Sequence, residues 1–260
     1  MKTLLVLTIC AALSVFAKGQ SLAPTVLSTA GDFYTGTAAT LSITIGEPVV
    51  ETYTSGSNVL STGFQQSDLM KQLLLALNLE GLWNGTGMNK AQGTSGNQYP
   101  GNVADQINVE LHHAANYNTI VYTATGVNLT TSGVAAVSVP GTKSGSYYLA
   151  VKHRNSIETV SAAPVSFSGL NVNYNFTDNI AKAYGNNLKL LPTGVYGLFT
   201  GDTNGDGLVN ALDLIGIGTD AGNFVTGYVN TDVNGDGIVD ALDLIPADNN
   251  AAGFVSVKKP

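Results

Sequence analysis

The amino-acid sequence predicts a mainly β protein with an N-terminal β unit, an immunoglobulin-like β-sandwich and a small C-terminal pair of loop-helix segments. Only 11% of its 260 residues are charged, whereas Gly, Thr, Ser, Asn and Val abound, and this composition suits strands and turns. Short runs of alternating apolar and polar residues recur between positions 21 and 177, as half-buried strands require. After residue 200 an acidic 12-residue pattern occurs twice, which predicts a separate C-terminal module.

The first 19 residues have the pattern of a secretory signal peptide. Residues 4–16 form an apolar core that is too short to span a membrane. Cleavage is predicted before Gln20, with cleavage after Ala17 as the alternative. Cys10 lies inside the apolar core, so the mature chain would contain no disulfide. The sequence therefore predicts a secreted protein, extracellular or at the cell surface, with no membrane span.

Residues 20–66 are predicted to form the N-terminal β unit. Residues 41–45 alternate with a period of two, and residues 54–58 form a Gly- and Ser-containing hairpin turn. Glu47 and Glu51 would be about 13 Å apart in an extended segment. We therefore interpret them as a solvated strand face and not as a catalytic carboxylate pair.

Residues 67–199 are predicted to form the β-sandwich. Residues 73–82 carry apolar side chains at every second position, which favours a buried strand, although a helix through 69–77 is an alternative. A long loop follows at residues 84–101. The remaining predicted strands are residues 106–112, 120–129, 134–139, 146–154, 158–161, 165–168 and 172–177. This number of short strands is typical of a sandwich with one core.

The sandwich contains no residue pattern that indicates catalysis. There is no GxSxG or HExxH motif, and the six acids between residues 67 and 200 are too scattered for a glycosidase pair. His112 and His113 should point to opposite faces of a strand, so they cannot bind one ion together. His153 and Arg154 could pair with Glu158 or remain solvated. We therefore predict that the protein is not an enzyme.

Two kinds of partner can be judged from composition. The net charge of −7 and the scarcity of lysine argue against nucleic acid. Four aromatic side chains of the sandwich could stack on carbohydrate, but such side chains more often pack in a core. They are Trp83, Tyr99, Tyr147 and Tyr148.

The C-terminal repeat consists of DTNGDGLVNALD at residues 202–213 and DVNGDGIVDALD at residues 232–243. A calcium loop of 12 residues offers oxygen atoms from positions 1, 3, 5, 7, 9 and 12, with a glycine at the sharp turn in position 6. The predicted ligands are Asp202, Asn204, Asp206, Leu208, Asn210, Asp213, Asp232, Asn234, Asp236, Ile238, Asp240 and Asp243, with Leu208 and Ile238 contributing backbone carbonyls. The glycine at position 6 is Gly207 in the first loop and Gly237 in the second.

The charge of these loops favours two bound Ca²⁺ ions over metal-free Asx turns. The first loop holds three carboxylates and the second holds four, and in a compact loop these would repel one another without a cation. Because Asp240 adds a carboxylate, we expect the second loop to bind calcium more tightly than the first.

The paired loops, with Asp at position 12 and no helix entering either loop, resemble the type I dockerin family. Residues 202–213 match the family pattern DxNxDGxVNxxD, and residues 232–243 differ only at Asp240. The resemblance covers about residues 200–258 of a predicted C-terminal domain that spans residues 200–260. It implies an EF-hand-like module that binds two Ca²⁺ ions and docks on a cohesin partner, often in polysaccharide-degradation systems. Dockerins usually use Lys or Arg for docking, but no Lys or Arg occurs between Lys189 and Lys258.

The helices that leave the loops are predicted to be short. Gly216 and Gly218 weaken the first helix, and Pro246 should end the second after about one turn. Four apolar side chains are expected to pack the loops against each other and against the preceding domain. They are Val209, Leu212, Val239 and Leu242.

The sequence as a whole predicts a secreted, non-catalytic calcium-binding protein with a structural, adhesive or interaction role. The alternative is a component of a polysaccharide-degradation system, which would dock on a cohesin or bind carbohydrate through the sandwich. A hydrolase is the third and most distant possibility.

Overall fold

The structure is a computed structural model that describes residues 30–35, 40–45, 51–55, 58–62 and 70–260. The chain divides into two compact units, residues 1–67 and 68–260. In the first unit β1 (Ala30–Thr35) pairs with β2 (Thr40–Ile45), and β3 (Glu51–Ser55) pairs with β4 (Asn58–Thr62), both antiparallel. The alternation at residues 41–45 therefore lies in a strand, as predicted. The predicted signal peptide and Glu47 lie outside the described residues.

The second unit contains a continuously hydrogen-bonded sheet of eight strands. These are β5 (Met70–Ala76), β8 (Val103–His113), β9 (Asn116–Thr130), β10 (Val134–Pro140), β11 (Ser146–His153), β12 (Ser156–Val160), β13 (Val165–Ser166) and β14 (Asn171–Asn175). Seven of them follow the order β12-β11-β8-β9-β10-β5-β14, and β13 pairs with β11. Pairing is antiparallel except between β14 and β5. Two short hairpins accompany the sheet, β6 (Gln92–Gly93) with β7 (Gly96–Asn97) and β15 (Lys189–Leu190) with β16 (Tyr196–Gly197).

This sheet curls around one hydrophobic core. Side chains from β5, β8, β9, β10, β11 and β14 all enter the same buried cluster, including Leu73, Ile107, Leu129 and Leu149. The mainly β class is confirmed, but the predicted sandwich is one curled sheet and not two separate sheets. Alternate residues of β5 are buried and exposed, so residues 70–76 form a strand and the helical alternative is wrong.

Two α-helices follow the acidic repeats, α1 (Ala211–Gly222) and α2 (Ala241–Ala252). Both are 12 residues long, so the prediction of short exit helices is wrong. A capping box fixes the start of each helix. Pro246 removes only one backbone hydrogen bond, and the buried residues Ala247 and Asn250 hold the turn beyond it. No helix in the described part of the chain is both long and apolar enough to cross a membrane.

A second, smaller core lies between the two helices. It contains Ile217, Val233, Val239 and Ala247, with Leu214 and Leu244 packed against it. Val209 and Val239 are each 2% exposed, as predicted.

The two leucines expected to join this core do not do so. Leu212 is 63% exposed and Leu242 is 56% exposed. Each stands at the second position of its helix, where the side chain faces away from the neighbouring helix. The prediction that they pack the two loops together is therefore wrong.

Candidate calcium-binding site

The first loop is arranged around the buried side chain of Asp202. Its carboxylate accepts hydrogen bonds from the backbone N–H groups of Gly205 (2.9 Å), Asp206 (3.1 Å) and Gly207 (3.1 Å). Gly207 has a φ of 86°, a conformation that glycine adopts at little cost. The turn therefore wraps the backbone around the first predicted ligand.

The other side chains of the first loop hold one another in place. Asn204 Oδ1 accepts from the Asp206 N–H (2.8 Å), and Asp206 Oδ1 accepts from the Leu208 N–H (2.9 Å). Asp213 is fully buried and accepts from the N–H groups of Thr203 (2.9 Å), Asn204 (3.2 Å) and Asn210 (3.0 Å). Positions 1 and 12 of the loop thus both place carboxylates in its interior.

The second loop repeats this arrangement around Asp232. The Asp232 carboxylate accepts from the N–H groups of Gly235 (2.9 Å) and Gly237 (3.2 Å), and Gly237 has a φ of 83°. Asp243 accepts from the N–H groups of Val233 (2.7 Å), Asn234 (2.9 Å) and Asp240 (2.9 Å). The side chains of Asn234 and Asp236 accept from the N–H groups of Asp236 (2.8 Å) and Ile238 (3.0 Å).

The backbone at position 7 also faces the interior of each loop. Leu208 forms a bridge with Ser256, and Ile238 forms one with Thr226. The bridge hydrogen bonds are made by the flanking residues, for example Val209 N–H to Val255 O (2.9 Å) and Gly227 N–H to Gly237 O (2.8 Å). The N–H of Leu208 instead points to Asp206 inside the loop. In an extended strand the carbonyl of a residue points to the same side as its N–H, so the predicted carbonyl ligands face inward.

Position 9 has a role that the sequence reasoning missed. Asn210 and Asp240 are the N-caps of α1 and α2, and their Oδ1 atoms accept from the N–H groups of Leu212 (2.8 Å) and Leu242 (2.7 Å). These oxygen atoms are therefore shared with the helix termini. Position 9 of such loops commonly reaches calcium through a water molecule, which is compatible with a capping role.

The electrostatics of the loops favour a cation. Burial, together with the charges of Asp213 and Asp206, raises the pKa of Asp202 to about 6. Burial and the charge of Asp243 likewise raise the pKa of Asp232 to about 6, against an opposing effect of Arg154. Burial also raises the pKa of Asp243. Without a bound cation, the charged forms of Asp202, Asp232 and Asp243 are therefore destabilised relative to their protonated forms.

The donors of each loop form a mixed set of Asp, Asn and backbone carbonyl oxygens. Among the described residues, no three His, Cys, Asp or Glu side chains are close enough together to hold a metal ion, so the carboxylates of each loop do not by themselves form a ligand cluster. The sequences of the two loops contain no His or Cys, the usual zinc donors, whereas an all-oxygen set of carboxylates, amides and carbonyls is what Ca²⁺ prefers. The residues therefore fit calcium in donor type, turn geometry and charge.

Beside the second loop lies a buried polar cluster that the sequence reasoning missed. We call it the Asp105 cluster, and it consists of Tyr99, Asp105, His153, Arg154 and Tyr228. Asp105 lies 3.0 Å from His153 Nε2 and accepts from Arg154 Nε (3.2 Å) and Tyr228 Oη (2.5 Å). The guanidinium of Arg154 stacks over the ring of Tyr228 at 4.6 Å. Tyr99 contacts Tyr228 edge to face.

The charges of this cluster are balanced internally. Burial opposes ionisation of Asp105, but His153, Arg154 and Tyr228 outweigh this effect and hold its pKa at about 2. Both interpretations of His153 and Arg154, pairing with Glu158 and a solvated strand end, are therefore wrong, because the two side chains are buried against Asp105. Glu158 instead accepts from Tyr117 Oη (2.6 Å) and lies 3.8 Å from Lys152 Nζ.

The remaining side chains singled out in the sequence lie away from the loops or pack internally. His112 is buried and stacks on Tyr117, whereas His113 is exposed, so the two do point to opposite faces. Tyr147 packs against Phe167, and Tyr148 packs against Tyr117 and Tyr184. Trp83 lines an open cavity of about 570 Å³, and Lys189, Pro192 and Ile245 also line this cavity.

Comparison with known proteins gives structural likeness only. No protein-family model and no curated protein matches the chain. It is similar to a chain in the structure of an N-terminal interface mutant of a type II cohesin–X–dockerin complex from Acetivibrio cellulolyticus, with 15% identity, a TM-score of 0.42, and coverage of 71% of this chain and 99% of that chain. A C-terminal interface mutant of the same complex matches with 15% identity, a TM-score of 0.41 and the same coverage. At this identity and TM-score the likeness supports no conclusion about function.

Proposed function

We propose that this protein is a secreted, non-catalytic calcium-binding protein in which two Ca²⁺ ions stabilise the C-terminal repeats for a structural, adhesive or interaction role. One observation carries the proposal. In each of two equivalent loops, the buried carboxylates at positions 1 and 12 are held inside the loop by hydrogen bonds from its own backbone N–H groups.

The ligands of each ion would be the six loop positions named from the sequence. In the first loop Asp202, Asp206 and Asp213 supply charge, and in the second Asp232, Asp236, Asp240 and Asp243 do so. A bound ion would offset the burial and the carboxylate repulsion that together raise the pKa values of Asp202 and Asp232. Because the six ligands of each ion come together only in the folded loops, free energy of calcium binding becomes free energy of folding.

Thermal unfolding in calcium and in chelator tests this linkage. With calcium at a hundred times its dissociation constant, each site adds about 2.7 kcal/mol to the free energy of unfolding. Two sites should together raise the melting temperature by on the order of 10 °C for a unit of this size. Magnesium is the control, because it requires a tighter octahedral shell and should give a much smaller rise. Equal melting temperatures in calcium and chelator would contradict the proposal.

Acidic pH should weaken calcium binding, because protons compete with the ion for Asp202 and Asp232. Both carboxyls have a pKa of about 6 in the metal-free fold. Lowering the pH from 7.5 to 5 should therefore reduce the affinity of each site on the order of tenfold. Calorimetric titrations at the two pH values measure this change. An affinity that does not depend on pH would show that these carboxyls are not ligands.

The same pKa values determine how the stability of the metal-free protein changes with pH. A pKa raised above the usual value near 3.8 means that the folded loops bind protons more tightly than the unfolded chain does. This contribution to stability is complete below pH 4 and is lost as the pH rises through 6. Calcium should therefore matter most at neutral and alkaline pH.

A second candidate function is docking of a protein partner of the cohesin kind through the helices. The observation that favours it is an apolar pair repeated in both helices, Leu212 with Ile215 and Leu242 with Ile245, all more than half exposed. Exposed apolar side chains at matching positions are typical of interaction surfaces. A pull-down with an immobilised cohesin module, with and without calcium, tests this function, and a glycan array tests carbohydrate binding at the Trp83 cavity.

A further inference from the structure

The two calcium loops differ in how deeply they lie against the rest of the unit. In the first loop Asn204, Gly205 and Asp206 are all exposed. In the second loop the equivalent Asn234 is partly buried and Gly235 is buried. The sequences of the two loops are nearly the same, so this difference comes from their surroundings.

The segment between β5 and β8 covers the second loop. The Gln92 N–H donates to the Gly235 carbonyl (2.9 Å), and Leu82 and Ala91 lie against Gly235. A Cβ atom at Gly235 would lie 2.3 Å from Leu82 Cδ2, and Leu82 is buried. A Cβ atom at the equivalent Gly205 would meet no atom of the described chain within 4 Å. At this position the second loop is therefore in close contact with the segment, whereas the first loop is not.

The start of the second loop is held by the turn between β11 and β12. Arg154 Nη1 donates to the carbonyls of Val229 and of Asp232 (2.7 Å), and Asn155 Nδ2 donates to the Asp232 carbonyl (3.0 Å). Arg154 Nη2 lies 3.9 Å from Asp232 Oδ2. Because Asp105 is ionised beside Arg154, the guanidinium charge is largely balanced, and its repulsion of a cation is reduced.

The helix after the second loop is also anchored, through Asn250. Its side chain is 1% exposed, donates to Glu80 Oε2 (2.6 Å) and the Thr200 carbonyl (2.9 Å), and accepts from Lys189 Nζ (3.0 Å). The equivalent residue of the first repeat is Asp220. It accepts from Thr231 in the linker between the repeats (2.6 Å), so the first helix lacks this anchor.

We propose that the two calcium ions have different roles, with Arg154 as the positioning residue that creates the difference. The ion of the second loop locks the repeats onto the curled sheet, because the ligands of that loop are fixed at both ends by the sheet unit. The ion of the first loop, whose ligands Asn204 and Asp206 are exposed, exchanges without loosening that contact. This inference rests on calcium binding by both loops.

Hydrogen exchange of the Gln92 amide tests the proposal, because this N–H donates to the second loop. The matched variants are Asp206→Asn and Asp236→Asn, which alter exposed ligands at the same position of each loop. Calcium should slow exchange at Gln92 on the order of tenfold or more in the wild type and in Asp206→Asn, but not in Asp236→Asn. Equal loss of protection in both variants, or protection that survives both, overturns the proposal.

Arg154→Lys tests the positioning role separately. Lysine keeps the charge but loses the planar fork that reaches two carbonyls. Calorimetry should show that one of the two sites weakens by about 10- to 100-fold while the other is unchanged. When Arg154→Lys is added to the Asp236→Asn variant, the calcium affinity of the remaining first-loop site should not change.

The outcomes separate this inference from the proposed function. If both sites weaken equally in Arg154→Lys, or if neither weakens, the unequal roles are wrong although calcium still binds. If the wild type binds no calcium, the proposed function itself is wrong.

Gly235→Ala and Gly205→Ala supply a further pair of matched variants, since both replace a glycine at positive φ but only the first collides with Leu82. Equal stability of these two variants would also contradict the proposal.

Discussion

Replacing Asp232 by alanine should abolish one of two calcium-binding events and lower the melting temperature in calcium by about 5–10 °C. Asp232 is the first predicted ligand of the second loop, and it also accepts the N–H groups that form the turn. Losing one site at a calcium concentration of a hundred dissociation constants removes about 2.7 kcal/mol. In a unit of this size, that free energy corresponds to the stated fall in melting temperature.

Asp202→Ala is the comparison for this experiment, and Asp248→Ala is the control. Asp202→Ala should also remove one event, but with a smaller fall in melting temperature, because the first loop is more exposed. Asp248 is exposed in α2 outside both loops, so its replacement should leave both events in place. If Asp232→Ala still binds two ions with unchanged heats, the assignment of this residue as a ligand is wrong.

Replacing Asp105 by alanine should reduce the free energy of unfolding by about 3–5 kcal/mol. This carboxylate is fully buried and is the common partner of His153, Arg154 and Tyr228. Its removal leaves the buried charge of Arg154 without its nearest carboxylate partner, and breaking a buried ion pair in this way has a cost of this size. Urea unfolding at pH 7 in saturating calcium measures the change.

The pH dependence of this effect follows from the low pKa of Asp105. A pKa of about 2 in the folded protein means that the stabilisation is present above pH 4 and is lost as the pH falls toward 2. The difference between the wild type and Asp105→Ala should therefore shrink in acid. Asp178 is exposed, so Asp178→Ala serves as the control. A loss below about 1 kcal/mol in Asp105→Ala would show that the Asp105 cluster contributes little net stability.

Most strands and both acidic loops could be predicted from the sequence, because their patterns are local. The period-two pattern of β5 and the Asp, Asn and Gly spacing of the two loops depend only on neighbouring residues. The presence of β8, β9 and β10 also follows from such patterns, although β8 and β9 extend several residues beyond the predicted ranges 106–112 and 120–129.

The contacts that join the loops to the sheet could not be predicted in the same way. Arg154 and Asp105 are 49 residues apart and meet only because β11 pairs with β8. The nearer acid, Glu158, was the natural choice from sequence alone. The length of α2 was missed for a similar reason, since tertiary contacts of Ala247 and Asn250 override the helix-breaking tendency of Pro246.

Calorimetric titration of calcium into the chelator-treated protein tests the central claim most directly. We expect two binding events per chain, one of them lost in Asp202→Ala and the other in Asp232→Ala. An affinity of about 10⁻⁴–10⁻³ M would suffice for an extracellular module. Absence of any binding heat, confirmed by unchanged melting up to several times the extracellular calcium concentration, would contradict the account. The acidic loops would then be turns without a metal.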